Sequence, residues 1–400
     1  MVEYNPDRIV LMRRLERKTQ AELTKDTGIS SAKISKIQNR IVLFNEADAK
    51  KIAISVDYPL SFFAMKDVPT PPTELTYRRS SKTLVGLINA VSAEYEIMNG
   101  AVQRTAFKLQ MQSRLQWINE IAPRKPDRLT IDEINRIANQ ARMHLGLSST
   151  GAVPNMTRAL ERAGVAVIPM HSSGEASDYI ATSEGVCDPT LDGAIPVIGY
   201  LKRDNTGDRL RFTKAHEFGH MILHKYRRPK TRKQMEDEAH QFAGAFLMPE
   251  DDARAIFSAT SNLSNFVQAK SGWGIAISAL IMRASALNII DQERTRSLQI
   301  QLSARGWKKH EPVAVDVESP ILYKQMIGQA YGKVISSTKS TVNSLNVSER
   351  LGVPFRYLDL WADGLEEDGS QLGFYEKRLD RAKIVPIDST ENEQPTPITN

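Results

Sequence analysis

The chain has 400 residues, and 53 lysines and arginines stand against 47 aspartates and glutamates, a formal net charge of +6. At roughly 100–200 residues per domain that length calls for two to four domains. A hydrophobic fraction of 41% with 25% charged residues is ordinary for a soluble globular chain, and gives no support to collagen-like, disulfide-scaffold or wholly disordered readings. Cys187 is the only cysteine, which excludes an intrachain disulfide and a four-cysteine zinc site. No apolar run approaches the roughly 20 residues that span a bilayer, and the first residues lack a basic cap followed by an apolar core. A cytoplasmic location with no membrane partner is expected.

The charge surplus is local. Nine basic residues between Arg8 and Arg40 face only Glu16, Glu22 and Asp26, so this stretch carries all of the +6 and the remainder is formally neutral. That distribution suits a phosphate-binding module. Ile9, Met12 and Leu15 recur at three-residue steps and predict a helix over Arg8 to Arg17. Thr19 is placed to cap a second helix, Gln20 to Thr27, which Gly28 ends. Ser30 or Ser31 then caps a third helix through Asn39, burying Ile34 and Ile37, and Ala47 to Ile54 continues as a fourth. Two short helices joined through a glycine turn read as a helix-turn-helix.

Thr19-Gln20-Ala21-Glu22-Leu23, then Gly28-Ile29-Ser30, then Ile34-Ser35-Lys36-Ile37-Gln38-Asn39 resemble the XRE/Cro/phage-repressor helix-turn-helix. The resemblance implies that the helix after the glycine turn enters the major groove of double-stranded operator DNA. Gln20, Ser31, Ala32 and Lys36 would then face DNA, with Arg13 and Lys33 available for phosphates. Gln38 stands where the family usually has Glu, and Arg40 where it usually has Gly. Ser31 and Ala32 are weak readers of base edges, so modest sequence specificity follows.

Lys66 to Thr73 is proline-rich and predicts a domain boundary. From Lys82 to Ile121 the chain reads as one or two long amphipathic helices, a scaffold or dimerisation hairpin, with Leu84, Leu87, Ile88, Val91, Tyr95 and Met98 on one face.

The strongest chemistry lies in Phe212 to His224. His216 and His220 are four apart, so a helix projects both imidazoles from one face, the separation needed to grip one zinc; Glu217 stands beside them as a candidate base. An apolar strand, Gly193 to Tyr200, precedes this helix. A catalytic zinc needs a third protein ligand. The metzincin position for a third histidine is Tyr226, which excludes that family, so candidates fall in Met235 to Pro249. There Glu236 and His240 share a helix face, while Glu238 points elsewhere. The intervening Lys225 to Lys233, with six basic residues and no acid, reads as an exposed loop.

Phe212-Thr213 leading into Ala215-His216-Glu217-Phe218-Gly219-His220, with a downstream Glu-x-x-Ala helix ending in Leu247-Met248-Pro249, resembles the ImmA/IrrE zinc metallopeptidases. The resemblance implies zinc on His216, His220 and Glu236, with Glu217 as general base on the attacking water. His240 departs from the Asn or Asp expected there and is open to three roles: second-shell partner, transition-state donor or competing ligand. His224 is read as a second-shell or packing residue.

Three further helices, Asn262 to Lys270, Ile275 to Leu287 and Asp291 to Leu302, are expected behind the catalytic pair, then a small helical unit over Leu322 to Leu360 and a polar, disordered tail from Pro386. The fold class expected is mainly α with a small β-sheet (α+β). The domains are 1–66, XRE-type and DNA-binding; 67–128, linker and hairpin; 129–312, minimal zincin-like metallopeptidase; 313–385, helical; and 386–400, the tail. The expected function is a DNA-binding regulator with zinc endopeptidase activity that cleaves an XRE-type repressor in a stress or mobile-element response, and a homodimer is compatible with it. The alternative is a non-proteolytic repressor or antitoxin whose peptidase fold is a sensor.

Overall fold

The computed structural model describes residues 2–66, 85–171, 185–189, 195–201, 206–335 and 340–366. The chain is mainly helical with a small sheet. The proline-rich segment at 69–72 and the tail from 386 lie outside the described residues.

The N-terminal bundle comprises α1 (Asp7–Leu15), α2 (Gln20–Thr27), α3 (Ser31–Gln38), α4 (Glu46–Val56) and α5 (Ser61–Ala64). Thr19 accepts from the Glu22 backbone while the Glu22 carboxylate takes the Thr19 N–H, a reciprocal cap that fixes where α2 starts. Gly28 ends it at φ +67°, a left-handed conformation that costs glycine nothing, and Ser30 caps α3. Ile9, Met12, Leu23, Ile34, Ile37, Phe62 and Phe63 fill the middle.

The stretch read as a hairpin is instead one long helix, α6 (Val85–Lys108), followed by turns and the four-residue α7 (Ile118–Ile121). Nor is α6 one-faced. Every residue from Ser92 to Met98 is buried, including Glu94 and Glu96. Three consecutive side chains explain this, because a 100° step per residue sends each toward a different neighbour. Glu96 takes both terminal nitrogens of Arg14 on α1, at 2.9 and 3.3 Å. The Tyr95 hydroxyl donates to the Val197 carbonyl and accepts from the Asp188 N–H, both at 3.0 Å. Glu94 accepts from the His171 N–H and from Trp361 Nε1.

Beyond α7 come α8 (Ile131–His144), α9 (Met156–Arg162) and β1 (Ala166–Met170), then β2 (Gly185–Cys187) and β3 (Val197–Leu201). The sheet order is β1-β3-β2, with β1 parallel and β2 antiparallel to the central β3. All three strands are buried on both faces. Alternate residues feed two different cores, as the two-residue period of a strand requires. Ala166, Ile168, Met170, Val186, Val197 and Leu201 join a core with α6 and the N-terminal bundle. Val167, Cys187, Ile198 and Tyr200 join a second core built from the helices that follow.

Those helices are α10 (Gly207–Leu223), α11 (Arg232–Leu247), α12 (Glu250–Ile256), α13 (Leu263–Trp273), α14 (Ile277–Ala286) and α15 (Gln292–Ala304). Arg283 of α14 donates to the Met248 carbonyl, and Arg142 of α8 donates to the Phe246 carbonyl, so two buried guanidiniums hold the C-terminal end of α11. The chain closes with α16 (Leu322–Tyr331), the β4–β5 ribbon (Lys333–Val334 and Ser340–Thr341), α17 (Ser344–Leu351) and α18 (Phe355–Trp361). Here Arg356 reaches Glu16 at 2.5 Å and Ser61 donates to Glu349 at 2.9 Å, so α17 and α18 touch the N-terminal bundle. Among the described residues no helix is long and apolar enough to cross a membrane.

Candidate metal centre

α10 and α11 pack side by side at very close range. A Cβ placed on Gly219 would lie 2.8 Å from Cδ1 of Phe242, so the phenyl ring occupies the space a side chain would need. Phe218 meets Phe242 and Phe246 edge-on at 6.2 and 5.9 Å, while those two rings stack on each other. This apolar contact sets the register in which one turn of α10 faces one turn of α11.

At that level three side chains converge. His216 Nε2 lies 3.0 Å from His220 Nε2 and 3.3 Å from Glu236 Oε2; His220 Nε2 lies 3.9 Å from Glu236 Oε1. Ligands at about 2.0–2.1 Å from a tetrahedral zinc stand roughly 3.3 Å from one another, so these separations suit a single ion. Both Glu236 oxygens are buried and accept no well-aligned hydrogen bond, although the carboxylate touches two imidazoles and lies 4.0 Å from Arg232. A buried acceptor in that condition is costly unless a cation takes it. Burial pushes the Glu236 carboxyl up, but the adjoining His216, with Arg232 and His240, outweighs it and holds the group below its ordinary range. Burial, reinforced by the neighbouring His216, pushes His220 well below its ordinary value, which leaves a neutral imidazole able to offer a lone pair. The donor set fits a divalent metal with a preference for nitrogen and oxygen.

His240 stands at the same place. Its ring is 4.4 Å from that of His216, its Nδ1 lies 2.9 Å from the Glu236 carbonyl, and one ligand atom each of His216, Glu236 and His240 fall within 4.8 Å of one another. With Nδ1 donating to that carbonyl, His240 Nε2 carries a lone pair that suits a further ligand, and it can donate to a bound carbonyl oxygen when the ring holds both protons.

Behind the ligands a polar chain orients His220. Its Nδ1 is 2.9 Å from Nδ1 of His224, and His224 Nε2 is 3.3 Å from Glu238 Oε2. Glu238 also binds Arg227, accepts from the Leu129 N–H at 3.1 Å and accepts from Gln234. Burial pushes the Glu238 carboxyl up, but His224, Arg227, Gln234 and the Leu129 amide together hold it down to about 2. An ionised Glu238 takes the proton of His224 Nε2, so His224 Nδ1 accepts from His220 Nδ1–H. His220 Nε2 is then left bare toward Glu236. Such outer partners set the tautomer of a metal-binding histidine.

One expectation is corrected here. The basic segment 225–233 is not wholly exposed: Arg227 is 3% exposed, drawn inward by Glu238 and by the carbonyls of Lys125 and Asp127. Glu238 does point away from Glu236, but into this interior chain. Sequence reasoning also missed Gly185. A Cβ there would lie 2.7 Å from Glu217 Cγ and 2.8 Å from its Oε1, so the Glu217 carboxylate lies against bare backbone of β2. Glu217 is 1% exposed, and Cys187 Sγ donates to its carbonyl at 3.3 Å. The α10–β2 contact therefore confines Glu217 on the helix face next to His216. A glycine immediately before an apolar Val186-Cys187 pair was the available signal, too short to read as a strand.

Residues 160–285 match the family model described as the IrrE N-terminal-like domain (Peptidase_M78). The segment is similar to metallopeptidases of the ImmA/IrrE kind. No curated protein matches the chain. The IrrE-like segment begins on α9, contains the whole three-stranded sheet and ends on α14, so it encloses His216, Glu217, His220, His224, Glu236, Glu238 and His240. The N-terminal bundle, α6 and the C-terminal elements lie outside it.

The residues expected at DNA sit on the opposite part of the chain and are unevenly available. Ser31, Ala32 and Lys36 are exposed on α3. Gln20 donates to the Ser31 carbonyl and hydroxyl at 2.9 Å, Arg13 binds the Lys18 carbonyl and approaches Gln20, and Lys33 pairs with Asp48 at 2.7 Å. Lys36 is thus the predicted contact residue that offers an exposed cation.

Gly219→Ala tests the packing argument. Alanine is the better helix former, so any loss must come from the collision with Phe242. We expect zinc affinity, measured by competition with a chromogenic chelator, to fall by at least about tenfold while far-ultraviolet dichroism stays unchanged.

Proposed function

We propose that this chain is a zinc-dependent endopeptidase that carries its own DNA-binding bundle and cuts an XRE-type repressor in the cytoplasm. The observation that carries the enzymatic part is the buried, hydrogen-bond-deprived Glu236 carboxylate set against the paired imidazoles of His216 and His220. A structural carboxylate would be given donors; one left without them is shaped for a cation.

A zinc ion held by His216, His220 and Glu236 would supply Lewis acidity toward the scissile carbonyl. The remaining chemistry belongs to the side chains. Glu217, confined between α10 and Gly185, takes a proton from the attacking water and returns it to the departing amine nitrogen, the general acid–base role that the neighbouring position allows. His240, pinned through Nδ1, donates from Nε2 in its doubly protonated form to the oxygen on which negative charge develops. His224 and Glu238 keep the proton of His220 on Nδ1 throughout.

The DNA-binding part rests on the charge surplus of residues 8–40 and on the outward face of α3. The bundle docks through α1 and α5, by Arg14 to Glu96 and Ser61 to Glu349, while Ser31 and Lys36 stay exposed. Joining the two activities in one chain would raise the effective concentration of the enzyme beside a DNA-bound repressor. The competing reading, a metal or ligand sensor without proteolysis, is disfavoured by a confined glutamate beside the ligands, since a sensor needs no base.

Glu217→Gln should keep zinc and lose cleavage of the repressor encoded beside its gene by about 10²–10⁴-fold, scored by time-resolved electrophoresis of that repressor. Undiminished cleavage would remove Glu217 from the mechanism. Lys36→Ala should weaken binding to duplex DNA taken from upstream of the same gene. The slope of log affinity against log salt should become shallower by about 1, as read by fluorescence anisotropy across a salt series.

A further inference from the structure

A second built-up polar site lies far from the metal centre, where four parts of the molecule meet. A cavity of about 200 Å³ opens between the C-terminal end of α1, one side of α6, the residue that follows β1 and the start of α18. Leu15, Ala90 and Val91 give it an apolar wall. Glu94, on α6, forms part of its lining and is only 2% exposed. Both hydrogen bonds that Glu94 accepts, from the His171 N–H at 2.6 Å and Trp361 Nε1 at 3.0 Å, go to Oε1, and Oε2 has no partner among the described residues. Among the described residues no cation pairs with this carboxyl. The guanidinium of Arg356, which also lines the cavity, is committed to Glu16 at 2.5 Å. Arg17 also lines the cavity, held at φ +53° at the turn after α1, and among the described residues its guanidinium has no ion pair or hydrogen bond.

We propose that this junction binds a small organic carboxylate with an apolar or aromatic body, held by Arg17 and by the Glu94 carboxyl. The charges decide the sign of the ligand. Glu16 and Arg356 cancel, so with Glu94 neutral the cavity carries the single positive charge of Arg17. Burial pushes the Glu94 carboxyl up to about 8; the Trp361 and His171 donors pull against this and Glu16 adds to it. At neutral pH the acid therefore keeps its proton, and Oε2–H can donate into the cavity. An ammonium ligand would meet two guanidiniums and an uncharged acid. The Tyr357 ring, 5.8 Å from that of His171, offers a face for a ring to pack on. Because Arg17 belongs to the N-terminal bundle and Glu94 to the strut against the sheet, the bound acid would bridge the two.

The groups that face Glu94 and could titrate with it are Glu16 and Arg17 from α1, His171 from the end of β1, and Arg356 and Tyr357 from α18. Burial, with Arg356, lowers His171, which is neutral above its ordinary range, and Tyr357 is raised. Glu94 is then the group that changes charge between about pH 6.5 and pH 9.5. Ionisation removes the donor and adds repulsion, so affinity for an anion must fall as pH rises through about 8.

Isothermal titration of the full chain with benzoate, benzamide and benzamidine, three single-ring probes of different charge, tests this. Benzoate should bind saturably, at least about tenfold more tightly than benzamidine, and weaken at least about fivefold from pH 6.5 to 9.5. Arg17→Ala, at an exposed position, should weaken benzoate by a comparable factor; Glu94→Gln, whose amide still donates, should keep binding and lose the pH dependence. Benzamidine binding as well as benzoate, no saturable benzoate binding at pH 6.5, or an unchanged pH profile in a folded Glu94→Gln protein would each overturn the proposal.

Discussion

Everything proposed for the catalytic half of this chain depends on how closely two helices approach. Gly219 on α10 leaves room for the Phe242 ring on α11, and the rings of Phe218 and Phe246 close around that contact. The consequence is geometric. With the helices this near, a glutamate one and a half turns before Phe242 comes within 3.3 Å of His216 and 3.9 Å of His220. Apolar burial supplies the driving force, and the unmet hydrogen-bonding needs of Glu236 are the cost that a metal would offset. The layer behind, from His220 through His224 to Glu238 and Arg227, then decides which nitrogen carries the proton.

A second constraint joins this half to the rest. Helix α6 is buried around its whole circumference between Ser92 and Met98, and it pairs Arg14 of the N-terminal bundle through Glu96 while Tyr95 grips the Val197 carbonyl of β3. The other face of that same sheet supports α10 and the candidate base. The N-terminal bundle is thus linked to the peptidase-like centre through one helix and one sheet. This arrangement gives a physical route by which events at the bundle could bias the sheet, and it places the junction cavity on that route.

The centre was legible from the sequence because its information is local. Four-residue spacing on a helix fixes the relative placement of His216 and His220, and a glutamate and histidine four apart on a second helix narrowed the remaining candidates to Glu236 and His240. The capping residues Thr19 and Ser30 were readable for the same reason, since caps act within one turn. What could not be read were properties conferred by burial from several sides at once. Glu94 and Glu96 look like a solvated helix face until Trp361, His171 and Arg14 are brought to them from distant parts of the chain. Arg227 is indistinguishable from its basic neighbours until Glu238 draws it inward. Strands β1 and β2 escaped notice because both faces are covered, which abolishes alternation, and because Pro169 within β1 and the three-residue length of β2 mask their character.

Whether His216, His220 and Glu236 hold one zinc ion is tested most directly by zinc X-ray absorption on the loaded 400-residue chain. One ion per chain is expected, in a nitrogen and oxygen shell at about 2.0–2.1 Å, with the outer-shell scattering of at least two imidazoles and no sulfur. A shell with sulfur at about 2.3 Å, a shell without imidazole scattering, or a protein that holds no zinc would contradict it.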